Sequence, residues 1–200
     1  MQAKRGLLVV ISAPSGGGKT TVIHEILKTN DDLFQYSISA TTRKPRGREQ
    51  DGVDYYFISE EEFKRRIEAS EFIEWARVHG HYYGTPKKPI DDAISSGKII
   101  FLDIDVQGGL EVKKKYGDDA LLIFIMPPSI EELEKRLRGR KTESDEEIAR
   151  RLAAVPVEIE KSKYYDAVVV NNDLSETVRK VKDMIYKTYQ AKAGGSRAHD

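Results

Sequence analysis

Ala13-Pro14-Ser15-Gly16-Gly17-Gly18-Lys19-Thr20 is the stretch that decides the fold. Upstream lies the apolar, β-branched run Leu7-Leu8-Val9-Val10-Ile11, which reads as a buried parallel strand. Downstream, Val22, Ile23, Ile26 and Leu27 fall at helical spacing. Strand, glycine-rich turn and helix together make the segment a phosphate-binding loop rather than a bare glycine turn. The glycines let backbone N–H groups curl around an anion, and the N-terminus of the new helix points its positive end at the same place. Lys19 then reaches the β- and γ-phosphates, and the Thr20 hydroxyl holds Mg²⁺. The expected ligand is a nucleoside triphosphate, bound by residues 13–20.

Outward from that loop, composition narrows the class. Two hundred residues bury a sizeable core in one domain, with room for a small insertion. The 33 basic and 33 acidic residues cancel, so overall charge makes no case for a nucleic-acid or membrane partner. There is no cysteine, which removes disulfides and thiol chemistry and fits a reducing compartment. Only seven apolar or small residues separate Gly6 from Pro14, too few for a membrane span. A cytoplasmic location is expected.

Alternation sets the architecture. Strands are predicted at Leu7–Ile11, Tyr36–Ser39, Ile99–Asp103, Leu121–Met126 and Ala167–Val170. Helices are predicted at Thr20–Thr29, Val106–Lys115, Ile130–Arg138, Asp145–Ser162 and Glu176–Tyr189. Ser129-x-x-Glu132 and Ser144-x-x-Glu147 read as capping boxes. Such alternation predicts an α/β fold with a parallel sheet covered by helices on both faces, with ligands beyond the carboxyl ends of the strands. Residues 40–95 break the rhythm and read as a small α+β insertion, with strand-like patches at Asp54–Ile58 and Phe72–Val78 and a helix capped by Ser59 that runs through Ile67. The core is then 5–39 and 97–190, with a short helical lid at about 137–150. Pro156 is expected to kink or break its helix, and 191–200 to form a flexible tail.

Three groups outside the loop carry chemistry. Lys98-Ile99-Ile100-Phe101-Leu102-Asp103 is an apolar strand ending in a carboxylate, suited to Mg²⁺ directly or through water, although Asp is also a common turn residue. Thr41-Thr42-Arg43-Lys44-Pro45-Arg46-Gly47-Arg48 is either a solvated basic turn or a second phosphate site, since guanidinium groups grip phosphate with two prongs. Tyr55 and Tyr83 can add phenolic donors there, or serve as core aromatics. Arg136, Arg138, Arg140, Lys141, Arg150 and Arg151 flank a short linker, either pairing on the surface with Glu146 and Glu147 or closing over transferring phosphates.

In this order, Ser12–Thr20, Ser39-Ala40-Thr41-Thr42-Arg43-Lys44-Pro45-Arg46-Gly47-Arg48-Glu49, Asp51-Gly52-Val53-Asp54-Tyr55-Tyr56-Phe57, Phe72-Ile73-Glu74-Trp75-Ala76, Tyr82-Tyr83-Gly84-Thr85 and Leu102-Asp103-Ile104-Asp105-Val106-Gln107-Gly108 resemble the guanylate kinases over about residues 5–190. The resemblance implies a P-loop NTPase-type fold and transfer of the γ-phosphoryl of ATP to GMP in purine nucleotide metabolism. It implies GMP-phosphate contacts from Arg43, Arg46, Tyr55 and Tyr83, and guanine contacts from Ser39, Glu74, Thr85 and Asp105. Arg136, Arg140 and Arg151 match the lid arginines and join Lys19 and Arg43 as catalytic residues; Thr20 and Asp103 are the metal-site residues. Ala13 stands where many members carry Gly, and Thr85 where Ser is frequent. Asn171-Asn172-Asp173 departs from the usual Asn-Asp-Asp, so no adenine contact is assigned. The rival reading is a guanylate-kinase-like module that binds partner proteins without catalysis, and such modules typically lose the loop or its lysine. A third is a P-loop kinase with another acceptor, such as a phosphorylated sugar; Glu74, Thr85 and Asp105 speak against it.

Overall fold

In the computed structural model, residues 5–14, 16–29, 31–78, 80–139 and 144–195 are described. The elements in chain order are β1 (Leu7–Ser12), α1 (Lys19–Leu27), β2 (Phe34–Tyr36), β3 (Ala40–Thr41), β4 (Tyr56–Phe57), α2 (Glu60–Glu68), β5 (Phe72–Val78), β6 (His81–Pro86) and α3 (Lys87–Ser95). After them come β7 (Ile99–Asp103), α4 (Val106–Tyr116), β8 (Ala120–Met126), α5 (Ile130–Gly139), α6 (Asp145–Lys161), β9 (Ala167–Val170) and α7 (Leu174–Gly195).

The main sheet has the order β2-β7-β1-β8-β9, and every pairing in it is parallel. Period-two alternation divides each central strand between two cores. Leu7, Val9 and Ile11 of β1 face Val22, Ile23 and Ile26 of α1 and Val181 and Ile185 of α7. Leu8 and Val10 face the opposite way, onto Ile90, Ala93 and Ile94 of α3 and Val106 and Val112 of α4. Both faces are therefore buried, and each fully buried aliphatic side chain contributes about 1.5–3 kcal/mol. The carboxyl ends of β1 and β7 are left as the fixed platform for the site.

The insertion carries its own sheet, β4-β3-β6-β5. Its small core is Ala40, Phe63 of α2 and Phe72 of β5, with Phe63 stacked on Phe72 and Tyr82 at centroid separations of 4.5 and 5.3 Å. Ser59 caps α2 as expected, accepting from the Glu62 N–H at 3.1 Å. The last part of the expected insertion behaves differently: α3 packs on the main sheet through Ile90, Ala93 and Ile94.

Several boundaries depart from expectation. The second strand is Phe34–Tyr36, not Tyr36–Ser39. Phe34 pairs with Ile99 and sets its ring edge-on to Phe101 at 5.3 Å, while Ser39 has already left for the insertion, where its carbonyl accepts from the Tyr56 N–H. Helix α6 runs unbroken through Pro156, held by Ile148 and Val155 in a cluster with Leu133 and Leu137 of α5. Its Ser144–Glu147 capping box is complete, whereas at Ser129 only the Glu132 N–H bond forms, because the Glu132 carboxylate turns to Arg136. Helix α7 continues to Gly195, beyond Tyr189 and into the expected tail, with the Lys192 ammonium donating to the Asp118 carbonyl at 2.9 Å and pairing with Asp119. Residues 196–200 and the expected lid residues 140–143 lie outside the described residues.

Candidate active site

The first half of the site grows from the end of β1. Gly18 stands at the N-cap of α1 with φ 94°, a left-handed conformation open to glycine at no steric cost. A Cβ there would lie 2.7 Å from Asn171 Nδ2. Among the described residues no side chain caps α1, so the N–H groups of its first turn are directed into the loop. The buried Asn171 amide donates to the Gly17 carbonyl at 3.4 Å and steadies the turn from β9's side.

Asp103 ends β7 in register with Ile11 of β1, which places its carboxylate beside the start of α1. Lys19 Nζ lies 2.6 Å from Asp103 Oδ1, and the Thr20 hydroxyl donates to Oδ2 at 2.5 Å. Period two carries the chain on to Asp105, which caps α4 by accepting from the Gly108 N–H at 2.9 Å.

The insertion delivers the second half. Glu74 on β5 lies opposite Thr85 on β6, whose hydroxyl donates to Glu74 Oε1 at 2.5 Å. Gly108 lets α4 approach that carboxylate, since a Cβ there would sit 3.3 Å from Glu74 Oε2. Burial pushes the Glu74 carboxyl above the usual carboxylate range, the neighbouring Asp105 adds to the rise, and the Thr85 hydrogen bond opposes it.

Arg43 is buried and heavily engaged. Its Nη1 and Nη2 donate to the two oxygens of Glu49 at 2.8 and 2.9 Å, Nε donates to the Tyr83 hydroxyl at 3.2 Å, and Nη1 also donates to the Lys44 carbonyl at 2.7 Å. The guanidinium lies 5.5 Å from the Tyr55 ring centroid and 5.8 Å from that of Phe57. The Glu49 hydrogen bonds raise the Arg43 pKa, and the same contact holds Glu49 below the usual carboxylate range.

Both halves open on one cleft of about 340 Å³. Lys19, Thr20, Asp103 and Asp105 line it from the main-sheet half, with Ser39 where the chain enters the insertion and a wall of Glu74, Tyr55 and Tyr83 from the insertion itself. Arg43 and Thr85 stand behind that wall, attached to Tyr83 and Glu74. The remaining predicted arginines are elsewhere. Arg46 is exposed, with its backbone N–H bonded to Glu49 at 2.7 Å. Arg136 pairs with Glu132 at 3.1 Å and reaches the Asn171 carbonyl at 3.4 Å, and Arg151 is half-buried on α6. Ala13, Pro14, Gly16 and Gly17 form the turn itself, closed by a Gly17 N–H to Pro14 carbonyl bond of 2.7 Å. Ser15 and Arg140 lie outside the described residues.

Sequence reasoning missed Glu49, Asn171, Tyr36 and His24. Glu49 is the lone acid closing a basic run, a signal for an internal counter-ion. His24 follows Thr20 by one helical turn and so shares its face, lining the cleft beside Tyr36 with the rings 6.2 Å apart. The Tyr36 phenol is pushed up by burial and by the Asp103 charge.

Thr20 and Asp103 offer hard oxygen donors at one point, which suits a small divalent cation. Among the described residues, no group of three or more His, Cys, Asp or Glu side chains is placed to hold a metal alone. A cation here must complete its shell from phosphate and water, as Mg²⁺ does in phosphoryl-transfer sites.

Residues 5–188 match the sequence model of the family described as guanylate kinase. The chain belongs to the guanylate kinase family. It is 50% identical over 181 residues to a guanylate kinase from Myxococcus xanthus, spanning 90% of this chain and 86% of that protein. It is 48% identical over 182 residues to one from Caldanaerobacter subterraneus subsp. tengcongensis, spanning 91% and 87%. The crystal structure of guanylate kinase from Anaplasma phagocytophilum shares the fold at a TM-score of 0.75 and 34% identity, covering 93% of this chain and 87% of that one. The parallel sheet, its phosphate-binding loop and the flanking helices are thus the P-loop NTPase-type core of the guanylate kinases. Among the described residues no helix is long and apolar enough to cross a membrane.

Proposed function

We propose that this member of the guanylate kinase family transfers the γ-phosphoryl of ATP to GMP, giving ADP and GDP, with the cleft residues in the roles that follow. The observation that carries the reading is the single cleft joining Lys19, Thr20 and Asp103 to Glu74, Asp105 and Ser39. One group suits a triphosphate, the other a purine with adjacent donors. Ionised carboxylates only accept hydrogen bonds, so Glu74 and Asp105 match the N1–H and 2-amino donors of guanine; the Ser39 hydroxyl can donate to O6, while the Thr85 hydroxyl, already given to Glu74, orients that carboxylate.

The α-phosphate oxygen of GMP attacks the γ-phosphorus as the bond to the β–γ bridging oxygen breaks, and the electron pair leaves with ADP. No side-chain nucleophile is needed, so catalysis is positioning and charge stabilisation. Lys19 exchanges its Asp103 partner for the transferring phosphate. Tyr55 and Tyr83 hold the acceptor phosphate, with Arg43 behind them and Arg46 reaching in from solvent. Arg136, Arg140 and Arg151 neutralise the moving group after α5 and α6 swing towards the cleft. Mg²⁺, held at Thr20 and Asp103, would supply charge neutralisation on the β- and γ-phosphates. Closure excludes water, which would otherwise compete as acceptor. The absence of cysteine fits work in the cytoplasm.

Lys19 and Asp103 are both present, so nothing favours a non-catalytic binding module. Coupled detection of ADP with GMP, AMP, CMP, UMP and sugar phosphates in turn tests the proposal. Turnover confined to GMP supports it, and turnover with another acceptor, or with none, overturns it.

A further inference from the structure

One buried polar cluster lies behind the cleft and is absorbed by none of the roles above. Tyr165, just after the short 3₁₀ turn that ends α6, is 8% exposed, and its hydroxyl lies 2.8 Å from Ser12 Oγ and 3.2 Å from the Val106 carbonyl. Ser12, fully buried at the end of β1, in turn lies 2.9 Å from the Ile104 carbonyl and 3.3 Å from that of Asp105. Each hydroxyl has one proton. The shorter distances therefore define a relay in which Tyr165 donates to Ser12 and Ser12 donates to Ile104. Burial pushes the Tyr165 phenol up, so it remains a donor throughout the working pH range.

The relay ends on the residue between Asp103 and Asp105. Asp103 is independently fixed, being paired with Ile11 in the sheet. Asp105 lies beyond the strand, tethered on its far side by the Gly108 cap and on its near side by the Ile104 carbonyl that Ser12 holds. The same three segments are the start of the phosphate-binding loop, the approach to α4 and the exit from α6. A second bridge joins the last two, from Lys161 Nζ to Gln107 Oε1 at 2.9 Å.

We infer that Tyr165 and Ser12 are positioning residues that set Asp105 for guanine recognition and tie that setting to the α5–α6 side of the molecule. The inference rests on the GMP-kinase reading. Tyr165→Phe deletes the hydroxyl while keeping the ring that packs edge-on against Phe124 at 5.7 Å. Loss of one such buried hydrogen bond predicts a fall in kcat/KM for GMP of about three- to tenfold. It falls on the GMP side: KM for ATP moves by no more than about twofold, and the preference for GMP over AMP narrows.

The decisive experiment is a double-mutant cycle on the full-length protein. Asp105→Asn removes the charge and keeps a good N-cap. If Tyr165 acts through Asp105, Tyr165→Phe lowers kcat/KM for GMP in the wild-type background and has less than about a twofold effect when Asp105→Asn is already present. An equal loss in both backgrounds, or a loss shared by GMP and ATP, overturns the inference and makes the cluster merely structural. Should Tyr165→Phe fail to fold, Ser12→Ala breaks the same relay and must show the same coupling. A wild-type protein without preference for GMP over AMP would overturn the reading of the site, and this inference with it; a wild type that prefers GMP and an uncoupled cycle overturn the inference alone.

Discussion

Arg43 and Glu49 form a two-pronged ion pair, 2.8 and 2.9 Å, behind the phenolic wall of the cleft. With Nε also on Tyr83, most of the donors of Arg43 are engaged inside the insertion, and its cation reaches the cleft through Tyr83 and Tyr55.

Arg43→Ala is therefore expected to act on GMP and not on ATP. It removes the support of Tyr83 and strands the Glu49 carboxylate on the acceptor side, facing an incoming phosphate. Truncating one partner of such a pair costs about 2–4 kcal/mol. Steady-state kinetics should show that loss in kcat/KM for GMP with KM for ATP nearly unchanged. Equal effects on both nucleotides would make Arg43 a general structural residue.

Lys19 contacts Asp103 at the cleft surface and is partly exposed, so its removal leaves both cores intact. Lys19→Ala should lower turnover at least ~10²–10³-fold, with the circular-dichroism spectrum and Tm of the wild type. A folded Lys19→Ala protein of normal activity would defeat the assignment of the loop.

Gly18→Ala tests the loop's backbone. A left-handed conformation costs an L-residue about 1–2 kcal/mol, and the new Cβ also meets Asn171 Nδ2. Lower Tm and weakened ATP binding by calorimetry are expected together; unchanged values for both would contradict this geometry.

Much of this was legible in the sequence, and the losses have physical causes. Strand β1 and helix α1 are written in local pattern, and their expected bounds lie within two residues of those observed. Strand β2 is decided by the edge-on contact of Phe34 with Phe101, over a long sequence separation, so its bounds, Phe34–Tyr36 in place of the expected Tyr36–Ser39, are not visible in local alternation. Strands β3 and β6 exist through the pairing of Ala40 with Gly84, which no local window contains. Helix α3 begins Lys87-Lys88-Pro89, which resembles a linker, yet Pro89 sits in the first turn, where a missing N–H costs nothing. Pro156 is the reverse: an interior proline costs about 3 kcal/mol, and α6 absorbs it with Ile148 and Val155 buried against α5. At the site, Glu74, Thr85 and Asp105 came from the family resemblance and fall together in space, whereas the hold of Glu49 on Arg43 appears only with coordinates.

Glu74 supplies a prediction in pH. Its folded-state pKa is raised, so the fold tolerates the protonated form better. The stabilising contribution is present in full below the ordinary carboxylate value of 4.5 and is lost as pH rises through the raised one. Glu74→Gln, which carries no charge, should raise Tm at pH 7 relative to wild type, with the gap closing as pH falls towards 4. The same substitution turns one acceptor into a donor and should cut kcat/KM for GMP while narrowing the preference over AMP. A Tm gap independent of pH, or an unchanged GMP-to-AMP ratio, would contradict the placement of Glu74.

The central claim is phosphoryl transfer from ATP to GMP, and ³¹P NMR of the protein with ATP, GMP and Mg²⁺ tests it most directly. The γ-phosphate resonance of ATP and the GMP resonance should decline together while the GDP and ADP signals grow in equal amounts and inorganic phosphate stays absent. Growth of inorganic phosphate with GMP unchanged would contradict it.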